Sequence, residues 1–233
     1  MRKFKTEALI IGIALVVMGM SIGSGLKSIA QGDRIVSVRG LAEREVMADH
    51  VIWPVVYKTT GNNLQAIYAD VNKANASIAA FLKKHGIKEA DISEPALQIL
   101  DKQAERYVSD NNGQRYTVTS VTIVATEQVD LVRQLLAQTG ELLKEGVAIS
   151  ANDYETRIQY EFTGLNKIKP EMIEEATRNA REAAAKFAAD SGSELGKIQT
   201  ANQGFFSIND RDSYSPHIKN VRVVTSVNYF LEN

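Results

Sequence analysis

The chain of 233 residues carries 27 lysine and arginine residues against 28 aspartate and glutamate residues, which gives a net charge of −1 at neutral pH. This balance argues against a nucleic-acid partner, because binding to the phosphate backbone requires a basic surface. The absence of cysteine excludes disulfides, thiolate catalysis and cysteine-ligated metal centres. With 44% hydrophobic and 24% charged residues, the composition is typical of a globular protein.

The N-terminal segment has the pattern of a membrane-targeting sequence. Arg2, Lys3 and Lys5 precede the nineteen uncharged residues 8–26. As a helix these would extend about 28 Å, close to the hydrocarbon thickness of a bilayer. This length favours an uncleaved signal anchor, because the apolar core of a cleaved signal peptide is usually shorter. Cleavage near Ala30, which would release a soluble periplasmic protein, is the alternative.

The charges around this apolar segment predict its orientation. Basic residues that flank a span stay on the cytoplasmic side, and here they precede the span. We therefore expect residues 1–33 to anchor the chain in the cytoplasmic (inner) membrane with a single pass. Residues 34–233, with 23 basic and 26 acidic side chains, would lie in the periplasm or outside a single-membrane cell.

Small residues within the apolar segment recur at a spacing of four. In lipid, such a stripe lets two helices approach closely, although glycine is also common in membrane segments that do not pair. The candidate helix-packing residues are Gly19, Ser21, Gly23 and Gly25.

Two strands open the exported part. The apolar segment 35–39 ends at Gly40, and apolar side chains alternate along 51–57, which is typical of a strand with one buried face. Pro54 lies within the second strand. Because proline cannot donate to the hydrogen-bonded ladder, Pro54 predicts an edge strand or a bulge.

A long amphipathic helix is predicted over residues 64–85. Asn62 or Asn63 can cap its N-terminus, and Gly86 ends it. His85 then lies where the helix dipole favours a basic side chain, and Phe81 is expected to pack against the sheet. The apolar residues at helical spacing are Leu64, Ile67, Tyr68, Val71, Ile78, Phe81 and Leu82.

The middle of the chain predicts a hairpin, a helix and a strand. Segments 95–107 and 114–125 flank a turn whose Asn-Gly pair supplies positive φ angles. A second helix over 129–144 ends at Gly146. Apolar and charged residues then alternate along 154–162, which predicts a strand with one solvated face.

The C-terminal part predicts a third helix and two strands. Pro170 is expected to open the helix, since a missing N–H costs nothing at the first position. Strands follow at 197–206 and 221–231, joined by a flexible polar loop at 207–216. The predicted buried face of the helix, rich in small residues suited to close packing on a sheet, comprises Ile173, Ala176, Ala180, Ala184 and Phe187.

The predicted order is therefore β-β-α-β-β-α-β-α-β-β, preceded by the membrane helix. This order indicates an α+β fold in which helices pack on one side of mostly antiparallel strands. The stretches 51–125 and 154–231 share the order β-α-β-β. They are compatible with two subdomains, about 34–126 and 150–233, that arose by duplication.

Several segments together resemble the SIMPL-domain family, whose bacterial members include periplasmic immunogenic and oxidative-stress-defence proteins. Residues 35–43 are similar to the family's opening strand and glycine, and Ala48-Asp49 stands where the family usually has Pro-Asp. The helix end 82–87 and the alanine-rich run 176–189 also fit. The resemblance covers essentially all of the exported part. It implies an exported α+β protein, in some relatives assembled into large ring-like oligomers, and supplies no catalytic motif.

No pattern in the sequence identifies a catalytic, cofactor-binding or metal-binding residue. His50, His85 and His217 lack the spacing of metal ligands. Asp49 is adjacent to His50, so on a strand their side chains point to opposite faces. The aromatic residues expected in the core, and not in a ligand pocket, are Trp53, Tyr57 and Tyr68.

Two functions therefore stay open. The first is a non-enzymatic envelope protein, with a structural or stress-related role, that assembles into a homo-oligomer. Edge strands would pair between copies, and segments 114–125 and 221–231 are expected to provide them. The second is a ligand-binding protein or enzyme whose site is assembled from residues distant in sequence, for a small molecule that the sequence does not identify.

Overall fold

A computed structural model describes residues 12–22, 34–104, 113–150 and 157–232. Over these residues the chain is a mixed α+β protein with antiparallel sheets. Each predicted strand and helix has a counterpart, and the structure adds a break in the second helix and the short strands β5 and β8. In chain order the elements are α1 (12–22), β1 (Ile35–Met47), β2 (His50–Gly61), α2 (Leu64–Lys84), a 3₁₀ turn (Glu89–Asp91), β3 (Ala96–Asp101), β4 (Tyr116–Thr126), α3 (Val129–Gln138), α4 (Gly140–Lys144), β5 (Ile149–Ser150), β6 (Gln159–Glu161), α5 (Leu165–Asp190), β7 (Glu194–Gln203), β8 (Ser207–Asp210) and β9 (Ile218–Glu232).

The chain divides into two compact units, each built from segments distant in sequence. The first, unit 1, comprises the chain up to Ala42, Glu171–Phe205 and the residues from Val223 onward; the second, unit 2, comprises Glu43–Pro170 and Phe206–Arg222. These units do not coincide with the two predicted subdomains, whose origin by duplication stays a prediction.

Strand β9 lies at the centre of the first sheet, whose order is β1-β9-β7. On one side β9 pairs antiparallel with β7, and β8 pairs with the start of β9. On the other side the N–H of Leu231 donates to the carbonyl of Arg34 at 2.8 Å. The predicted terminal edge strand, 221–231, is therefore an internal strand.

Within unit 1, helix α5 packs closely on β1 through small side chains. Ala180 and Ala184 are fully buried in one cluster with Val38. At Gly40 of β1 an added Cβ would lie only 1.8 Å from the carbonyl oxygen of Ala176. Only glycine therefore allows the strand to approach the helix this closely, which confirms the predicted close helix-on-sheet packing.

The start of α5 differs from the prediction. The helix begins at Leu165, so Pro170 lies inside the helix and not at its first position. The carboxylate of Asp49 accepts the backbone N–H groups of Thr163 and Gly164 at 2.7 and 2.8 Å, immediately before the helix. The start of α5, which the sequence placed at Pro170, is therefore set by hydrogen bonds to this distant side chain.

The buried stripe of α5 follows a strict spacing of four residues. Ile173 lies beside this stripe and is half-buried. The predicted burial of Phe187 is wrong, since 61% of this side chain is exposed. The buried residues are Met172, Ala176, Ala180, Ala184 and Ala188.

The second sheet has the order β3-β4-β2-β5, and β6 also pairs with β2. Strand β2 is central, so the predicted edge position of Pro54 is wrong. Its register opposite Ile123 of β4 is regular, so Pro54 is not at a bulge either. On the other side of β2, β6 pairs with residues 50–52 and β5 with residues 56–57. Pro54 lies between these two pairings. Within the described residues, no strand pairs with β2 at this position on that side, so the missing N–H of Pro54 breaks no hydrogen bond between strands.

Helix α2 confirms its predicted amphipathic character. The side-chain oxygen of Asn63 accepts the N–H groups of Gln65 and Ala66 at 2.9 and 3.2 Å, and Gly86 follows the helix with a φ of 96°. Phe81 is buried, as predicted. The core of unit 2 joins α2, α3 and α4 to one face of β2; its largest members are Trp53, Ile78, Phe81, Leu82, Leu135 and Leu142.

The predicted helix over 129–144 is broken into α3 and α4. At the junction the hydroxyl of Thr139 donates to the carbonyl of Leu136 at 3.0 Å. This competing hydrogen bond and the weak helix propensity of Gly140 together explain the break. Gly146, with a φ of 81°, follows α4 as predicted.

The predicted polar loop at 207–216 contains a strand, β8, which pairs antiparallel with β9. Its side chains are exposed, so the polar composition that predicted a loop belongs here to an exposed strand. Of the predicted strand 154–162, the structure describes β6. Residues 154–156 and the hairpin turn residues 109–112 lie outside the described residues.

Candidate functional site

Strand β3 forms one edge of the second sheet. It pairs with β4 on one side, and among the described residues no strand pairs with its other side. Three large apolar side chains of this short strand, Leu97, Ile99 and Leu100, are exposed, and Ile99 is 59% exposed. An unpaired edge with apolar side chains is a template for pairing with another strand.

An apolar groove of about 190 Å³ lies between β3 and α2. Leu97 and Ile99 line it from β3, and Tyr68 lines it from α2. The predicted core position of Tyr68 is wrong, because 59% of its side chain is exposed. Trp53, in contrast, is buried as predicted, and Tyr57 is half-buried against the core. The remaining residues of the groove are Leu64, Ile67, Val71 and Val118.

A larger cleft, of about 760 Å³, lies within unit 2. Helix α3 contributes one wall, β6 and the two residues before it a second, and β8, the start of β9 and the segment between them a third. The side chains that carry charge or an aromatic ring are Arg133, Arg157, Tyr160, Asp210, Tyr214, His217 and Lys219.

Cations dominate the electrostatic environment of His217. Burial lowers the pKa of its imidazole below the ordinary value, and the charges of Arg133 and Arg211 lower it further. The carboxylates of Asp130 and Asp212 oppose this effect and are outweighed. His217 is therefore neutral at pH 7, and an anion in the cleft would meet an excess of positive charge.

Tyr160 lies against His217, with the two rings edge to face and their centroids 6.1 Å apart. Burial raises the pKa of the Tyr160 phenol, which Arg133 opposes. The phenol is therefore protonated at neutral pH and can donate a hydrogen bond. The pair provides two neutral, polar aromatic rings beside the arginine.

The other two histidines lie outside this cleft. His50 Nδ1 is 3.5 Å from a carboxylate oxygen of Glu161. His85 ends α2, as predicted, and its Nδ1 is 2.8 Å from the carbonyl oxygen of Phe81. No three His, Asp or Glu side chains within the described ranges lie together as metal ligands.

The predicted helix-packing residues of the N-terminal span are described in part. Gly19 and Ser21 lie in α1, where the Ser21 hydroxyl donates to the carbonyl of Val17 at 2.9 Å. Gly23 and Gly25 lie outside the described residues. In the part of the chain that the structure describes, no helix is long and apolar enough to cross a membrane.

Sequence reasoning did not find the cleft, because its cations come from three separate segments. Arg133 is on helix α3, Arg157 precedes β6, and Lys219 is near the start of β9. The one local signal was the concentration of Arg211 and Tyr214 in the predicted polar loop 207–216, with His217 directly after it.

Antiparallel sheets with packed helices, an open strand edge and a cationic cleft define an α+β protein with surfaces suited to binding. The SIMPL family, described as a protein of unknown function (DUF541), matches residues 36–225. Because this match covers most of the chain, the protein belongs to the SIMPL family, and the resemblance seen in the sequence is confirmed. No curated protein matches the chain.

Proposed function

We propose that this SIMPL protein is a non-enzymatic component of the cell envelope that assembles into a homo-oligomer through the open edge of β3. Residues 8–26 would anchor it in the cytoplasmic membrane, with the following domain outside the cytoplasm in a structural or stress-related role. The exposed apolar edge of β3 is the observation that supports this proposal most directly. The ring-like assemblies implied by the family resemblance agree with it.

The composition of β3 supports pairing with another copy. Natural edge strands are usually protected by lysine, proline, a bulge or an inward-pointing charge. In β3 the one charged residue is Asp101 at the end of the strand, and it is bound to Arg115 of the same hairpin, with N–O distances of 3.0 and 2.7 Å. The strand therefore offers its unpaired backbone groups with no charge that repels a partner strand.

The apolar groove adds a side-chain contact to the backbone contact. A strand that pairs with β3 would place its own apolar residues beside Leu97 and Ile99 and cover part of Tyr68. Where β3 pairs with a different edge of the next copy, the contact is head-to-tail and closes into a ring when its rotation divides a full turn. Anchoring in one membrane would raise the local concentration of copies, so a modest interface would be sufficient.

Substitution of Ile99 by lysine tests the proposed interface. Ile99→Lys should shift the detergent-solubilised full-length protein from an oligomer to a single chain in size-exclusion chromatography with light scattering, because a charge would be buried at each edge. Leu143→Lys is the matched control, since Leu143 is 64% exposed and belongs to α4, not to β3. A wild-type monomer at high concentration, or dissociation by Leu143→Lys alone, would contradict the proposal.

A chain that begins at Gly32 separates the two sources of assembly. If the sheet edge is responsible, this shortened chain should still assemble and should still respond to Ile99→Lys. If only the full-length protein assembles, the small-residue stripe of the span is responsible and the β3 proposal fails.

The alternative function, a ligand-binding protein or enzyme with a site built from distant residues, is favoured by one observation. The cleft of unit 2 brings together Arg133, Arg157 and His217 from separate parts of the chain. This observation is independent of β3, and its chemistry can be argued further.

A further inference from the structure

The cleft of unit 2 has the size and composition of a small-molecule site. Its volume, about 760 Å³, falls within the roughly 300–1,000 Å³ typical of ligand pockets. Leu136, Ile158 and Pro216 provide apolar surface, and the remaining walls carry charged and aromatic side chains. Such a mixture is typical of pockets that orient a ligand through a few polar contacts.

The charges in the cleft favour an anion. Arg133, Arg157 and Lys219 contribute three cations against the single carboxylate of Asp210, and this carboxylate is already bound by Lys219. One terminal nitrogen of Arg133 contacts Asp130 at 3.1 Å on the surface of α3. No carboxylate of the described residues lies within ion-pair distance of Arg157. The Arg157 side chain lines the cleft, and a guanidinium can make charge-assisted hydrogen bonds to an anion.

Aromatic rings border the same space. Tyr214 is 95% exposed, so its ring has one face free for stacking. Tyr160 and His217 lie edge to face deeper in the cleft. Planar ligands gain stacking and edge contacts with such rings, while the neutral imidazole and phenol can each donate one hydrogen bond.

We propose that this cleft binds a small organic anion, a carboxylate or a phosphate monoester carried on a planar ring. Arg157 and Arg133 bind the anionic group through charge-assisted hydrogen bonds, which guanidinium groups make bidentately to both carboxylate and phosphate. Tyr214 and Tyr160 contact the ring, and His217 donates to the ligand as a neutral imidazole. Because every lining residue lies in unit 2, the site does not depend on the assembly of copies through β3.

Calorimetric titration of the detergent-solubilised full-length protein with phenyl phosphate tests the anion and the ring separately. Phenyl phosphate should bind saturably with one site per chain, inorganic phosphate should bind more weakly, and the neutral benzyl alcohol should not bind. Benzoate, titrated in parallel, distinguishes a carboxylate from a phosphate ligand. Absence of saturable binding by both aromatic anions would overturn the proposal, as would equal affinity for inorganic phosphate.

Variants locate the binding. Arg157→Gln should weaken binding about tenfold, the loss expected for one charge-assisted contact, and Tyr214→Ala should weaken the binding of phenyl phosphate but not of inorganic phosphate. Arg181→Gln is the matched control, because Arg181 is an exposed arginine on α5 in unit 1. Arg157 and Tyr214 are exposed, so both variants should keep the wild-type melting temperature. Equal weakening of binding by Arg181→Gln would overturn the proposal. Retained binding by Ile99→Lys would show that ligand binding in the cleft does not require assembly through β3.

Discussion

Gly40 determines how closely β1 can approach α5 in unit 1. An added Cβ would meet the carbonyl oxygen of Ala176 at 1.8 Å and the backbone nitrogen of Ala180 at 2.5 Å. Both are backbone atoms of a helix, so a side-chain rotation cannot relieve the contact. Gly40, which lies inside β1, therefore has a packing role, and the alanines of α5 supply the complementary small surface.

Gly40→Ala should lower the free energy of unfolding by about 1–3 kcal/mol or more, because the helix must move away from the strand. Gly140→Ala is the control: no atom lies within 4 Å of the added Cβ, and Gly140 begins α4. There alanine should be neutral or slightly stabilising. Urea unfolding of both variants measures the difference, and an equal effect at the two positions would refute the packing role.

Asp49 acts as a cap for α5 from a distant position in the chain. Burial raises the pKa of its carboxyl group, but the backbone hydrogen bonds from Thr163 and Gly164 outweigh burial, so the pKa lies below the ordinary value of 3.8. In the sequence, Asp49 was interpreted only as part of the family motif and as the neighbour of His50. Its position in the family motif is now explained by a helix that begins more than a hundred residues later.

Asp49→Asn should destabilise the protein by about 1 kcal/mol at neutral pH, the usual value of an N-terminal cap. The pKa is lower in the folded than in the unfolded chain, so the carboxylate contributes stability above pH 3.8. This contribution is lost as the pH falls below that value and through the folded pKa. Urea unfolding at about pH 7 and about pH 3 should show a gap between wild type and variant that narrows in acid. A gap that is independent of pH would contradict the role of the charge.

Helix α2 is the element that the sequence predicted best. Its apolar spacing, its Asn63 cap and its terminal Gly86 all act within about one turn of the residues that they affect. Such local signals can be interpreted without knowledge of the tertiary structure. Phe81 is the largest of the helix residues that join the core of unit 2.

Phe81→Ala should therefore lower the free energy of unfolding by about 3–5 kcal/mol, through lost burial and the cavity left among its neighbours. Lys83→Ala should change it little, since the ion pair of Lys83 with Glu89 at 2.6 Å is exposed to solvent. Thermal or urea unfolding of the two variants compares the buried and exposed faces directly. Equal small effects would mean that the helix is packed through another face.

Elements whose limits depend on distant partners were predicted less well. Pro170 predicted the start of α5, but Asp49 sets that start five residues earlier. Pro54 predicted an edge strand, yet β2 is central because β5 and β6 pair on either side of the proline. Pro54 obeys the local rule about proline, because it lies between the residues of β2 that pair with β6 and β5. Pro170 departs from the rule, because it lies inside α5.

At the scale of the whole molecule, the class of fold could be predicted and its surfaces could not. Strand segments 114–125 and 221–231 were expected at edges, but both are internal, since β4 lies between β3 and β2 and β9 between β1 and β7. Alternation of apolar and polar residues shows which face of a strand is buried. It does not show whether one or two other strands pair with that strand. The cleft was missed for the same reason, because sequence spacing does not bring Arg133 beside His217.

The proposed orientation of the whole chain rests on charge and is tested in the cell. Arg2, Lys3 and Lys5 precede the apolar residues 8–26, and basic flanks stay in the cytoplasm. Protease added to intact spheroplasts should therefore digest the domain that follows the span, while a cytoplasmic marker protein stays intact. Complete protection of the domain would refute this orientation. N-terminal sequencing that begins at Gln31 would instead establish cleavage, and the exported domain would then be soluble and unanchored.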